Sequence, residues 1–596
     1  MLTGKYLNKY YKKYFWYFII GGIALIAVDY FQLFIPEYLG QIVDLLDQGS
    51  SLDINTIKDI IIGIIAVAIV MFFGRMLWRF TIFYASINIE GSIRHEMFLK
   101  SERLSQRYYH ENKVGTIMAW FSTDLETIEE YLGWGTIMII DSLFLSVLVI
   151  YRMFNLDAFL AIMTLVPMIF VIMLGAWVEK HMAKNWDYRQ MQFDRLYDFA
   201  QENFSGIRII KAFVKEMQER LAFSKIARDN QEANLKFVKT AIIFEVFITL
   251  IISIIMSLLI GIGGLFVYST VMNKDITIFN IVVSLQPGKL VTFIGYFESL
   301  VWPMVGLGQL VSMYSRSTAS LKRITRFLDE EEEISSDKNA YVFDQLKGKI
   351  TFNHYNFTYP SSTHPSLKDI TFTIKEGESI GIVGKIGSGK STLVNSLLRL
   401  YNVERNQILI DDHDIMDINI HNLRSFIAYV PQDNFLFSDT IRNNIAFSSH
   451  DIDDEYVKEA AMFADVHSNI QDFPLQYETI TGERGMSLSG GQKQRISIAR
   501  AYIKDAPIMI LDDSVSAVDV KTEETIMNNI KTMRKGKTTI VIASRISTVS
   551  SLDKILVLNE GKVEAFDSHD NLLKISPTYQ KMVFLQELER EVNEHA

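Results

Sequence analysis

Apolar positions fall into two regimes along this chain. Up to about residue 310, long apolar stretches alternate with charged segments, whereas from about 340 onward the apolar runs shorten into strands set between polar helical stretches. The first regime is that of membrane helices, because crossing hydrocarbon takes about 20 helical residues. The second is that of a soluble α/β domain. Six stretches are long enough to span, near 15–36, 59–83, 132–154, 156–178, 240–270 and 277–305. The polar segments at about 84–131 and 179–239 keep near-continuous helical periodicity with few breakers, so they predict helices extended well beyond the bilayer.

Basic residues set the orientation. Lys5, Lys9, Lys12 and Lys13 precede the first span, and the segment after it carries Asp44, Asp47 and Asp53 with no basic residue before Lys58. The amino terminus and both long polar segments are therefore expected on the cytoplasmic side. No small-residue cleavage site follows the first span, which continues through Pro36 and Gly40 into polar sequence and so predicts a retained span. Four acids lie inside the spans: Asp29, Asp141, Glu245 and Glu298. A carboxylate there costs roughly 2.5–3.5 kcal/mol on insertion scales, so each is expected to face the bundle interior, a partner or water. Glu298 stands out as a candidate for a cationic substrate, because Phe293, Tyr296, Phe297 and Trp302 surround it with stacking surfaces. Pairing, protonation or an interfacial position would equally account for these acids, and packing for the rings.

Composition narrows the chemistry. The 596 residues exceed one compact core, and a net charge of −10 without a long basic tract argues against nucleic acid as a partner. With no cysteine, disulfides, thiolate metal sites and cysteine nucleophiles are excluded.

The decisive pattern is SIGIVGKIGSGKST, residues 379–392: an apolar strand, Gly384, four residues, Gly389-Lys390-Ser391, then a helical run. Glycines let successive backbone N–H groups converge on phosphate oxygens, and the helix adds its positive end. Gly384, Gly387, Ser388, Gly389 and Thr392 would shape this cradle, Lys390 would reach the β and γ phosphates, and Ser391 would ligate Mg²⁺. Farther on, IMILDD ends an apolar strand in Asp512, a hard oxygen ligand for Mg²⁺. Between them lie YVPQDNFLF, with Gln432, and SLSGGQKQRISIAR, where Ser489-Gly490-Gly491-Gln492 opens a helix able to meet phosphate by the same physics.

In this order the motifs resemble the ATP-binding cassette exporters over nearly the whole chain, and the LSGGQ signature is highly specific. The resemblance implies that Ser489 and Gly491, with Gly490 and Gln492, meet the γ phosphate of ATP held by another cassette. It implies that Gln432 links nucleotide and Mg²⁺ to the membrane half, that Tyr359 of FTYP stacks on adenine, and that Asp519 of SAVD lies at the cassette seam. ENFSGIRIIKAFVKE, residues 202–216, is similar to the second cytoplasmic loop, whose short helix docks on the partner's cassette. GTIMAWFSTDLETI, residues 115–128, resembles the first loop more loosely. Six spans and one cassette form the half-transporter layout, so twelve spans and two cassettes would make a working unit. The expected parts are a membrane domain at 1–325, a linker at 326–342, a cassette at 343–585 and a charged tail at 586–596. DEEEE at 329–333 is expected to be a solvated acidic stretch and QELEREVNEHA a frayed helix end.

Two positions depart from the family. Asp513 stands where the family usually has the glutamate that polarises the attacking water; its carboxylate is withdrawn by on the order of 1 Å, a misplacement that can cost about 10²-fold in rate. Ser544 stands at the switch histidine, and serine can neither reach as far nor carry charge. The expectation is a chain that binds MgATP in a slow pocket and lends LSGGQ to a competent, different partner half, as in bacterial heterodimeric multidrug exporters, with a small amphipathic or cationic drug as cargo. The alternatives are a homodimeric lipid or peptide exporter, or an ATP-sensing membrane regulator. No peptidase-like region precedes the first span, which argues against maturation-coupled peptide export.

Overall fold

The computed structural model describes residues 3–47, 54–272, 276–278, 281–283, 285–360, 362–448 and 452–595. The chain divides into two compact units, Met1–Glu102 with Val114–Glu330, and Arg103–Lys113 with Glu331–Ala596.

The first unit is helical. Among the described residues five helical stretches are long and apolar enough to cross a membrane: Phe15–Asp47, Ile54–Arg103, Val114–Leu156, Glu216–Val271 and Pro287–Asp329. A sixth apolar stretch, Ala158–Val171, opens the 48-residue helix Ala158–Ser205. At 1.5 Å per residue the 50-residue helix Ile54–Arg103 is about 75 Å long, more than twice the hydrocarbon thickness, so its polar half extends beyond the bilayer. Asp157 starts Ala158–Ser205 by accepting from the Leu160 N–H at 2.8 Å.

Several details differ from the sequence expectation. The last span starts at Pro287, ten residues later than 277. Proline suits the first turn, and before it Ile276–Ile278 pairs antiparallel with Ile281–Val283, both rich in β-branched residues. The first span is two helices, Phe15–Gln32 and Phe34–Asp47, meeting at Leu33. The first cytoplasmic turn falls at 104–113 around the short helix Gln106–Glu111, whereas 115–128 lies within the following helical stretch. That stretch contains three wide π-helical turns, at Trp120–Asp124, Tyr131–Gly135 and Asp141–Leu145. The first of them carries Asp124, which accepts from Arg323 at 2.7 and 2.6 Å and from Ser320 at 2.9 Å.

Helices Phe34–Asp47 and Pro287–Asp329 touch backbone to backbone. A Cβ on Gly40 would sit 2.4 Å from the Gly288 carbonyl, and one on Gly288 would sit 2.1 Å from the Gly40 carbonyl. Asp44 caps the Gly288 N–H at 2.6 Å, and Thr292 donates to Pro36 O at 3.2 Å.

The acidic stretch is not simply solvated. Asp329 accepts from Lys5 at 2.6 Å and from Tyr6 at 2.7 Å. Within the second unit Glu333 accepts from Ser105 at 2.9 Å and pairs with Arg107, and Arg103 lies 3.9 Å from Glu332. Lys5 near the amino terminus and the arginines at 103 and 107 are what draw these acids in.

The second unit is built on a six-stranded sheet in the order Lys562–Asp567, Lys554–Asn559, Ser379–Gly384, Thr538–Ile542, Ile508–Asp512, Ile427–Val430, parallel except at the first pair. Both faces of the inner strands are buried, so those strands are largely apolar, whereas the edge strand Lys562–Asp567 is only partly covered. Met509, Leu511, Val541, Ile555 and Val557 enter one core, while Ile508, Ile510, Ile540, Ile542, Leu556 and Leu558 enter the other. A smaller antiparallel sheet, ordered Leu367–Ile374, Ile350–Phe357, Ile408–Ile410, His413–Asp414, shares the second core.

The charged tail continues the helix Pro577–His595, and its first residue, Gln586, makes two hydrogen bonds to the body of the unit. Tyr579 is fully buried, and Glu564 accepts from Ser576 and Thr578 at the helix start. Burial pushes the Glu564 carboxyl up, but these hydrogen bonds and one from Asn559 outweigh it and hold it below its ordinary value.

Two outcomes follow. Gly288→Val should destabilise the membrane unit by about 1–3 kcal/mol through overpacking, read as a lowered Tm in detergent. Because its folded pKa is depressed, Glu564 stabilises helix Pro577–His595 fully above the ordinary carboxylate value of about 4.3 and ceases to do so as pH falls through the lower folded value. Hydrogen exchange of that helix should rise across that acid window, and Glu564→Gln should remove the pH dependence.

Candidate nucleotide site

Strand Ser379–Gly384 ends in a loop whose backbone only glycine tolerates at two positions. Gly387 has φ +80° and Gly389 φ +98°, and a Cβ on Gly389 would lie 2.6 Å from Leu367 Cδ2. Helix Lys390–Leu397 follows at once, directing its first N–H groups at the loop. Lys390 bends over the loop, its Nζ donating to the carbonyls of Gly384 at 2.8 Å and Lys385 at 3.0 Å. Burial lowers its pKa, and the nearby Asp513 and Asp512 oppose that shift. The Ser388 hydroxyl is buried with no partner among the described residues. An orphan donor, an ammonium and glycine-permitted N–H groups on one concavity suit a polyanionic phosphate chain.

Neighbouring strands bring the remaining chemistry to the same edge. Ile508–Asp512 and Thr538–Ile542 run parallel with Asp512 opposite Ile542, and Thr538–Ile542 pairs with the cradle strand. Asp512, 2% exposed, accepts from the Ser391 hydroxyl at 3.3 Å. Burial raises its pKa and Asp513 adds to that, while Ser391 and Lys390 act against it. A buried carboxylate beside a hydroxyl is an oxygen pair suited to a hard divalent cation. Asp513 turns the chain at φ +47°, its N–H donating to Ile542 O at 3.0 Å. Its Oδ1 accepts from the Ser544 hydroxyl at 3.3 Å, so the two departures from the family pattern touch each other.

Of the other candidate residues, Tyr359 reaches the cradle helix. Tyr359 is half-buried, edge-on to Phe357 and Tyr401, with its hydroxyl 3.0 Å from Thr392 Oγ1. Gln432 is exposed, and only its backbone carbonyl takes part in a hydrogen bond, from Asn434 at 3.4 Å. Ser489 and Gln492 form a reciprocal capping box on helix Gly490–Tyr502, with the Ser489 N–H to Gln492 Oε1 at 3.0 Å and the Gln492 N–H to Ser489 Oγ at 3.3 Å. Gly490 faces open space, and a Cβ on Gly491 would press against Ala517 O at 3.0 Å. No hydrogen bond joins residues 489–492 to the cradle among the described residues. Asp519 is exposed and caps helix Val520–Met533 through the Thr522 N–H at 3.1 Å, which holds its carboxyl below the ordinary value.

In the membrane unit the three candidate substrate residues separate. Glu298 and Trp302, one turn apart, are exposed, whereas Tyr296 is buried with its hydroxyl on Glu37. Asp29 is buried, Asp141 half-buried, and each keeps an oxygen with no partner among the described residues. Glu245 is exposed.

Sequence reasoning passed over several residues. Gln494 is buried and accepts from the Ala517 N–H at 3.0 Å, tying the signature helix to the segment before Asp519. Its signal was a second glutamine in SGGQKQR on the buried face of the helix. Arg75, Arg79 and Arg152 are cations within the apolar stretches: Arg152 pairs with Glu37 at 2.6 Å, and Arg75 and Arg79 line a groove of about 1050 Å³ with Phe72, Phe80 and Tyr84. Counting cations along with acids would have found them.

Two sequence families match the chain, the ABC transporter transmembrane region over residues 18–304 and the ABC transporter family over 367–516. The chain is 33% identical to the probable multidrug resistance ABC transporter ATP-binding/permease protein YheI of Bacillus subtilis (strain 168), covering 98% of this chain and 97% of that one. It is 32% identical to the multidrug resistance-like ATP-binding protein MdlA of Escherichia coli (strain K12), covering 96% of each. Its fold matches a bacterial Atm1-family ABC exporter solved with ATP bound, at a TM-score of 0.77 and 23% identity over 98% of this chain and 99% of that one.

Gly389→Ala should weaken binding of a fluorescent ATP analogue by more than about tenfold, because the added Cβ both strains the left-handed backbone and collides with Leu367. Titration of the purified chain reads this directly.

Proposed function

The chain belongs to the ABC transporters as a membrane-fused, ATP-driven exporter, and from that premise we propose that it is the slow-site half of a heterodimer. Its own pocket binds MgATP and cleaves it slowly, and its signature completes a competent pocket on a different half. The observation that carries this reading is the 3.3 Å hydrogen bond from Ser544 Oγ to Asp513 Oδ1. A carboxylate one methylene short of the family's glutamate, with one oxygen engaged by the switch-position side chain, would polarise a water poorly, and serine offers no cation to take over.

The residues that retain nucleotide are present. The backbone of 384–391 and Lys390 would bind the phosphate chain, and Tyr359, close to Thr392, would offer its ring to adenine. Mg²⁺ would be held by Ser391 and Asp512, to which Gln432 would add an oxygen, and would neutralise charge between the terminal phosphates. Ser489 and Gly490, capped and open to solvent, would present N–H groups and a hydroxyl to nucleotide on the partner, with Asp519 at the seam. Two nucleotides would then join two cassettes, and the turns at 104–113 and 206–215 would carry closure to the membrane helices. Helix Ile207–Ala212 supports that role, for it buries no residue and leaves Ile209 and Phe213 exposed. Hydrolysis on the partner would reset the cycle while the slow pocket keeps the cassettes partly joined.

The cargo we propose is a small amphipathic or cationic molecule taken from the bilayer. Glu298 and Trp302, on one exposed face, supply charge and ring for it, as the multidrug names of the relatives would suggest.

The test compares the chain alone with the chain coexpressed with a second half-exporter. Alone, ATP turnover should be slight; in the complex, Ser489→Ala should abolish most of it, because that serine serves the fast pocket. Asp513→Glu with Ser544→His should raise turnover at this pocket by on the order of 10²-fold. Brisk turnover by the chain alone, or no gain in the double variant, would overturn the reading.

A further inference from the structure

The short helix Ile546–Val549 begins immediately after the switch position, and it begins badly. Its N-cap is Arg545, a residue with no acceptor atom, and no side-chain cap forms there. The exposed end of that helix is served from far away in the chain. Oε1 of Gln586 accepts from the Ile546 N–H at 2.7 Å, and Nε2 of the same amide donates to the Ser544 carbonyl at 2.8 Å. One planar amide thus spans the two backbone groups that bracket Arg545, a task that needs a donor and an acceptor on one side chain.

The rest of the segment is tied to the body of the cassette. The Ala543 N–H donates to Ile382 O at 3.3 Å on the cradle strand, and Arg545 pairs at 2.9 Å with Glu523, which is 4% exposed and also accepts from Thr548. Ile546 and Val549 share an apolar core with Tyr579 of the terminal helix, and among the described residues Gln586 is the side chain that joins that helix to the segment by hydrogen bonds. That helix is itself well fixed, through buried Tyr579, whose hydroxyl is 2.7 Å from His569 Nδ1, and through Glu564.

We propose that Gln586 is a positioning residue for the switch segment. By fixing the backbone at 544–546 it sets how far the side chain at 544 stands from the carboxylate at 513, and the terminal helix thereby tunes hydrolysis in this pocket. The proposal rests on the preceding reading only in placing hydrolysis between residues 513 and 544.

The experiment uses the full-length, assembled exporter. Gln586→Leu keeps bulk and removes both hydrogen bonds; Gln586→Glu keeps the acceptor for Ile546 and loses the donor to Ser544. Hydrogen exchange should quicken about tenfold in 544–549 for the leucine variant, the factor expected for one net hydrogen bond, and less for the glutamate variant, with the remaining cassette unchanged. In the Asp513→Glu, Ser544→His background, Gln586→Leu should lower kcat about tenfold with KM for ATP within about twofold. Exchange in 544–549 that stays as in the parent protein would overturn the proposal, and so would exchange that rises throughout the cassette. If the leucine variant does not fold, the glutamate variant decides on the same two readouts. A background that gains no turnover counts against the slow-pocket reading, while the exchange measurement still judges Gln586.

Discussion

Burial of the central sheet on both faces is the constraint from which the nucleotide site follows. Every strand between Ile427 and Asn559 in that sheet sends alternate side chains into two separate cores, so a one-residue slip would exchange the contents of both. Register is therefore fixed, and fixed register brings the carboxyl ends of three adjacent parallel strands to one edge. Gly384, Asp512 with Asp513, and Ser544 arrive there from segments more than a hundred residues apart in part of the chain. Polar function is confined to the point where the strands stop, because nowhere earlier could a carboxylate escape the cores.

The membrane unit meets the opposite problem. Its apolar faces can lie against lipid, so specificity between helices rests on small residues and on polar contacts. Gly40 against Gly288 permits the first and last spans to touch, Glu37 gathers Arg152 and Tyr296, and Asp124 clamps Arg323. The π-helical turn at Asp124 shows how the backbone accommodates such a contact: one extra residue in a turn shifts a side chain around the helix. The polar halves of the long helices are sustained by the same means, as with Ser86 on Glu129 at 2.8 Å and Tyr10 on Glu96 at 2.6 Å.

The two-part fold, the spans and the phosphate cradle were legible in the sequence because each depends on a local pattern: apolar length, helical periodicity, or glycine spacing before a lysine. What sequence concealed was pairing between distant segments. Tyr296 reads as a free ring beside Glu298, yet a helix turns it away from Glu298, where Glu37 meets it. The acids at 332 and 333 read as solvated until Arg103 and Arg107 are folded against them. The hydrogen bond between Asp513 and Ser544 could be suspected only through family comparison, because neither residue is unusual on its own. Gln586 carried no signal at all, being one polar residue in a charged helical tail.

The fold's second unit is discontinuous in sequence, since Arg103–Lys113 belongs with Glu331–Ala596. Three peptide connections, at 102–103, 113–114 and 330–331, therefore cross between the units where a simple bead-on-a-string arrangement would have one. A protease nick near residue 330 would leave two of those three connections uncut, and a fragment beginning at 331 would lack the arginines that its opening glutamates grip. Severing this machine into two independent parts takes more than cutting the thread between them.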